Sequence, residues 1–302
     1  MRELHQKAVI SILVLVPLGF TVYSIFFLWG RLADWLDLGL LMGMYLLVGL
    51  GVTIGYHRYM AHGSFKTNNF MKMVLLILGT MSWQGNPISW AAIHRKHHAY
   101  SDQEGDVHSP QLSRNMFLGF FHAQVGWMFG LKRPDNRHWA RDLLDDPYVV
   151  FVDRFTTVWW VLGLAIPLAI GGWSGLMWGG FVRIFLTHHV TWSVNSVCHL
   201  YGSRPFLTKD HSTNHWLVGL LGFGEGGHNT HHASPRSARH GLYWWHFDLS
   251  WQVIRLLNRI RLVRDVYTLH PEHLKLALKE KASSVKVIFS HRLREARATA
   301  SI

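Results

Sequence analysis

Residues 8–30 read AVISILVLVPLGFTVYSIFFLWG, a stretch without one charged side chain. A helix needs about 20 apolar residues to cross the hydrocarbon of a bilayer, and this run supplies them. It is too long for the apolar core of a secretory signal and shows no small-residue cleavage site. A second run, GLLMGMYLLVGLGVTIGY at residues 39–56, follows almost at once. Both read as retained anchors, so the expected fold class is all-α integral membrane.

Further along, residues 155–173 are apolar enough to span, Gly171 and Gly172 mark a tight turn, and residues 174–200 return. The expectation is four transmembrane helices, 8–30, 39–56, 155–173 and 174–200, within a single domain, 1–302. Residues 57–153 and 201–302 then form a helical cap. Charge orients the chain: Arg2 and Lys7 precede the first span, and the link after it holds Arg31 against Asp34 and Asp37. Of thirty Lys and Arg residues only Arg31 falls in a segment placed outside, and only Arg183 falls within a span. By the positive-inside tendency both termini and the cap are cytosolic. Residues 70–93 are apolar only at their centre, and a single crossing there would carry His94 to the side opposite His57. This segment is expected to be interfacial or re-entrant. Residues 101–153 read as a polar loop with short amphipathic helices, and the chain from 251 onward as a basic helical tail. Trp29, Trp35, Trp90, Trp173 and Trp178 suit interfacial positions near helix ends.

The single cysteine, Cys198, excludes an intramolecular disulfide and any CxxC metal pair. The formal charge of +12 accompanies no aromatic-and-basic nucleic-acid signature, and the basic residues flank apolar spans, so membrane topology rather than nucleic acid accounts for it.

Histidine is the conspicuous residue. His57 and His62 stand in HRYMAH, His94, His97 and His98 in HRKHHAY, and His228, His231 and His232 in HNTHH. Spacings of three and four place imidazoles one helical turn apart. Eight imidazoles exceed the needs of one tetrahedral ion, so two metals are implied, and imidazole alone does not choose among iron, copper, zinc and nickel. The four-helix carboxylate pattern, with a Glu-x-x-His on each of two helices, is absent, as are the zinc-protease motifs.

These boxes, with GDVHSP at Gly105, TWSVNSVCH at Thr191 and GEGGHNTHH at Gly224, resemble the membrane fatty-acid desaturases, particularly the delta-9 type related to the stearoyl-CoA desaturases. The likeness runs from about Tyr56 to Trp251. It implies four spans with a cytosolic cap, and two iron ions held by His57, His62, His94, His97, His98, His199, His228, His231 and His232, with Asn195 acting through water. Asn195 and His199 are one helical turn apart, which suits a shared site. The implied activity is oxygen-dependent insertion of a cis double bond, at the delta-9 position, into a saturated acyl chain on CoA or lipid. No heme, flavin or nicotinamide motif occurs, so electrons come from an external ferredoxin or cytochrome b5-like donor, which a basic face would attract.

Asp102, Glu104, Asp106 and Glu225 are candidate partners for the imidazoles; a solvated acidic loop is the competing reading for the first two. The Arg-Asp pair that precedes the second box in the stearoyl-CoA branch is replaced by Ala92 and Ile93, which leaves Lys132 and Arg133 to bind a head group. The QGNP run before Trp90 and the SARHGLYWW run are more like bacterial and cyanobacterial desaturases, which places the chain in a bacterial cytoplasmic membrane. Gln124 stands where many relatives carry histidine, with His122 nearby. The remaining histidines, including His5, His108, His138, His211, His215, His240, His246, His270, His273 and His291, read as surface or interfacial. His188 and His189, inside a span, read as bundle hydrogen bonds or channel neighbours. The competing functions are a histidine-box hydroxylase or alkane monooxygenase and, outside enzymes, a membrane metal transporter.

Overall fold

The computed structural model describes residues 2–28, 34–130 and 132–269. Trp29, Arg31, His270, His273, His291 and the side chains of Arg2 and His5 lie outside the described residues, as does the tail beyond 269. Among the described residues, three helical reaches are long and apolar enough to cross a membrane: Gln6–Phe26, Trp35–Ala61 and Thr156–His199.

Helix α1 (Arg2–Tyr23) is the first of these. Helix α2 (Trp35–Leu50) starts at a reciprocal cap in which Asp37 N–H donates to Asp34 Oδ1 at 2.9 Å and Asp34 N–H to Asp37 Oδ2 at 3.3 Å. It runs on into a wider-turned π-helical segment, Gly51–Ala61, so the span and the first histidine box share one continuous rod.

Helix α3 (Asn69–Thr80) lies antiparallel against that rod. Contact is backbone to backbone: a Cβ on Gly51 would fall 2.2 Å from Gly79 N, and one on Gly55 would fall 2.6 Å from the Leu75 carbonyl. Twelve residues reach about 18 Å, short of a roughly 30 Å hydrocarbon core. The chain turns at residues 81–86 and comes back as α4 (Pro87–Tyr100), and this helical hairpin returns His94 to the first box.

The third reach folds on itself. Gly172 takes φ 59° and ψ −147°, outside helical space, where glycine is at ease. Beyond it Gly179 meets Pro167, and Arg183 Nη2 donates to the Gly163 carbonyl at 2.8 Å, so the two arms are antiparallel. The turn anticipated at Gly171 and Gly172 is there.

The rest is a cap of short helices, including Met116–Phe121, Pro147–Arg154, His228–Ala233 and Leu249–Arg259. The last buries Ile254 against Ile54, Phe65 and Leu75. One correction to an all-α reading is a two-stranded antiparallel ribbon, Lys66–Thr67 with Val263–Arg264, which fastens the chain after the first box to the far end of the cap.

Candidate metal centre

The first box depends on the π-helical turn. Backbone bonds there run five residues back, including His62 N–H to the His57 carbonyl at 3.2 Å. Residues five apart diverge on an ordinary α-helix, but the wider turn brings them to one face. The His57 and His62 rings stand 4.9 Å apart as a result.

The box histidines and His199 gather into two cages. His57, His62, His94, His98 and His231 form one; His97, His199, His228 and His232 form the other. Sequence neighbours separate: His97 and His98 point into different cages, as do His231 and His232. A helix rotates its side chains by about 100° per residue, so adjacent positions address two centres, while the i, i+4 pair His94 and His98 shares one. Grouping the second or the third box on a single face, as spacing alone invites, is thereby corrected.

Nitrogen geometry tests whether a metal fits. In the five-membered cage Nε2 atoms meet in series: His62 to His94 at 2.8 Å, His94 to His98 at 3.0 Å, His98 to His231 at 2.9 Å and His231 to His57 at 3.1 Å. Each Nε2 has either one N–H or one lone pair and so can serve a single neighbour, whereas those of His94, His98 and His231 each face two, so hydrogen bonds cannot satisfy the whole series. Ligands at right angles about an ion with bonds of ~2.1 Å lie ~3.0 Å apart, which matches these edges. In the second cage His199 Nε2 is 3.0 Å from His228 Nε2, and the buried His232 Nε2 has no protein partner. The donor set fits a metal in each cage.

Four imidazoles have their tautomer set by a carboxylate. His57 Nδ1 lies 2.5 Å from Glu225, His97 Nδ1 2.9 Å from Asp106, His199 Nδ1 2.8 Å from Asp102 and His232 Nδ1 2.6 Å from Asp210. Each bond holds a proton on Nδ1 and leaves the Nε2 lone pair facing the cage. Burial would raise these acids. Contact with His199 for Asp102, with His97 for Asp106 and with Ser212 for Asp210 outweighs it and holds all three below the usual carboxylate range. Glu225 is likewise depressed, because His57 and Arg58 overcome its desolvation. Burial, reinforced by neighbouring imidazoles, pushes His94, His98, His228, His231 and His232 well below the ordinary value, which keeps them neutral and able to ligate.

Of the anticipated acids, Asp102, Asp106 and Glu225 therefore touch cage imidazoles, whereas Glu104 is exposed and touches none. Asp210 was not legible in the sequence; it comes from a distant loop with no local pattern. His240 and His108 are not surface residues as expected. Both are buried, with His240 4.6 Å from the His231 ring and His108 4.2 Å from that of His97. Arg58, wholly buried, pairs with Asp248 at 3.0 Å and Glu225 at 3.3 Å behind His57. His188 donates to the Ser82 carbonyl at 2.9 Å, the bundle hydrogen bond expected of it, and His189 packs against Phe185 with the rings tilted by 47°. Gln124 bonds the His189 carbonyl at 3.0 Å and Ser196, outside both cages, and His122 is partly buried.

A largely apolar cavity reaches the five-histidine cage at His94. Ile10 and Leu13 of α1 form one wall, exposed Arg133 marks its mouth, and His94 and Asn195 line it further in. Lys132 is exposed and lies outside the lining. Beside His94, Trp90 Nε1 donates to Gln84 at 3.3 Å and Gln84 Nε2 to Thr191 at 3.0 Å, which fixes the wall. A smaller cavity touches His57 and His94 of one cage, His97 and His228 of the other, and Asn195.

Long apolar helices, paired imidazole cages and an apolar cavity beside them are the features of a membrane-type histidine-box protein. Residues 33–259 match the family model for fatty acid desaturase, and the chain belongs to that family. It is 41% identical over 266 residues, 83% of each chain, to a hex-5-enoyl-[acyl-carrier protein] acetylenase of Moorena producens. It is 39% identical to an sn-1 stearoyl-lipid 9-desaturase of Anabaena variabilis, covering 77% of this chain and 85% of the relative. To an acyl-CoA C20 Delta5-desaturase of Anemone leveillei it is 37% identical, covering 77% and 74%.

Proposed function

We propose that the chain is a delta-9 desaturase that places a cis double bond in a saturated acyl chain carried on a membrane lipid. The observation that carries this reading is the apolar cavity that passes between α1 and the re-entrant hairpin to reach His94 and Asn195 beside both cages. A methylene chain offers no polar handle, so selectivity rests on the wall that holds it.

The nine histidines would hold two iron ions, five ligands on one and four with Asn195 through water on the other. When bound, the irons supply the oxidant for the C–H bonds, using dioxygen and electrons from an external carrier. The protein supplies the rest. Glu225, Asp106, Asp102 and Asp210 hold the Nδ1 protons of their imidazoles so that Nε2 faces inward. Trp90, Gln84 and Thr191 fix the wall against which the chain lies.

Among the described residues lining the cavity, Arg133 is the one Lys or Arg. A nucleotide carrier with several phosphates calls for more cations, so a lipid head group suits this mouth better. The similarity to stearoyl-lipid 9-desaturases points the same way, and the acyl-CoA relatives make CoA the competing carrier. We read the third helical reach as two crossings, which makes four spans in all, with the cages and both termini on the cytosolic side of a bacterial membrane.

The test is expression in a host that makes no unsaturated lipid, followed by location of the double bond and of the lipid class that first carries it. A C9–C10 cis olefin appearing first in intact glycerolipid is expected. Appearance first in acyl-CoA would overturn the carrier assignment, and a hydroxylated chain in place of the olefin would overturn desaturation.

A further inference from the structure

The turn at residues 81–86 joins α3 to α4 and forms part of the cavity wall through Trp83, Gln84, Gly85 and Asn86. Carbonyls at the end of a helix have no partner within the helix. Two carbonyls just past the end of α3 are met by side chains from the last apolar arm. Arg183, wholly buried, donates through Nη1 to the Met81 carbonyl at 2.7 Å, and His188 Nε2 donates to the Ser82 carbonyl at 2.9 Å. Trp83 is held in the left-handed region, φ 65°, a conformation a bulky side chain keeps only under constraint. Its indole donates to the Trp160 carbonyl at 3.1 Å and stacks on the Trp160 ring.

Arg183 has three carbonyl partners in all, on Gly179, Met81 and Gly163. It therefore clamps the turn to both antiparallel arms of the third reach. His188 has a second face: its ring lines the cavity and packs 4.7 Å from that of Trp192.

We infer that Arg183 and His188 are positioning residues for regiochemistry, holding the 81–86 turn so that Trp83 and Gln84 set how far an acyl chain slides past His94. This rests on the desaturase reading above. An apolar chain cannot be registered by hydrogen bonds, so the carbon presented to the cages is set by the position of the wall. Trp83 and Gln84 sit on the turn and His94 on the helix after it. A turn released from its clamps moves the wall while leaving all nine cage histidines in place.

The experiment compares His188→Leu, which loses the donor, with His188→Gln, whose amide can still reach the Ser82 carbonyl. Trp83→Phe, which keeps a ring and loses the indole donor, is an independent probe of the same turn. Double-bond positions are measured in total lipid, and metal content in purified protein. His188→Leu and Trp83→Phe should each raise the share of displaced double bonds about fivefold, the scale of one lost hydrogen bond. Metal content should be unchanged, and His188→Gln should return the parent pattern. Should His188→Leu fail to fold, Trp83→Phe decides the question. Parental isomer ratios with only the yield reduced would overturn the inference. A parent enzyme that makes no olefin would instead overturn the desaturase reading, so the two failures are separable.

Discussion

His57 donates its Nδ1 proton to Glu225 across 2.5 Å, and so joins the end of the second apolar helix to the loop before the third histidine box. Glu225 also accepts Arg58, so one buried carboxylate orients a cage ring and neutralises a buried cation. Partners of this kind typically change metal affinity by about 10- to 100-fold. Glu225→Gln should therefore lower occupancy of the five-histidine cage while the other cage keeps its metal. Metal analysis of purified protein should fall from about two ions toward one, and an unchanged stoichiometry would refute the role assigned to this carboxylate.

His231→Ala and His97→Ala remove a ligand from the five- and four-membered cages respectively. Each should abolish olefin formation while leaving membrane insertion intact, because both side chains lie on helices outside the three apolar reaches. Asn195→Ala should be milder, since its contact is proposed to run through water. Product analysis beside membrane fractionation checks all three, and near-parental product from either histidine variant would remove it from the ligand set.

Arg95 reaches from α4 to the Ala61 and Met60 carbonyls at 3.0 and 2.9 Å and pairs with Asp142 at 2.6 Å. The bond to Arg95 holds Asp142 below the usual carboxylate range, with burial opposing. A carboxylate depressed in the folded state stabilises above its unfolded value near ~3.9 and loses that contribution as pH falls through the folded value. Asp142→Asn should thus lower thermal stability in detergent at pH 7, by about 0.5 kcal/mol for so exposed a pair. The gap from the parent should close in acid below the folded value. A gap that is constant with pH would exclude this pair as its source.

Arg133 lines the mouth of the cavity and Lys132 does not. Arg133→Ala should raise the apparent KM for the acyl substrate about tenfold, the scale of one lost charge-assisted contact. Lys132→Ala should change it little, and neither should alter metal content. Kinetics with acyl-lipid and acyl-CoA presented separately make the check; equal effects of the two substitutions would show the pair acting as a general basic patch.

Local pattern was enough to read the apolar reaches, the reversal at Gly172 and the helical spacing within the second and third boxes, because run length and three-and-four spacing are properties of contiguous sequence, whereas His199 was reached only through the family's motif. Asp102, Asp106 and Glu225 could be nominated because each stands within a few residues of a box or of its own box's motif. Three features were settled only by tertiary structure. The division of His97 from His98 and of His231 from His232 depends on which neighbours pack around each short helix, a relation the spacing does not contain. The π-helical turn that aligns His57 with His62 is set by backbone bonds five residues long that no side-chain pattern announces. Asp210 at His232, His240 beside His231 and His188 on the Ser82 carbonyl join segments far apart in the chain. Buried polar groups must find partners wherever folding brings them, and those partners become identifiable only when distant segments are packed together.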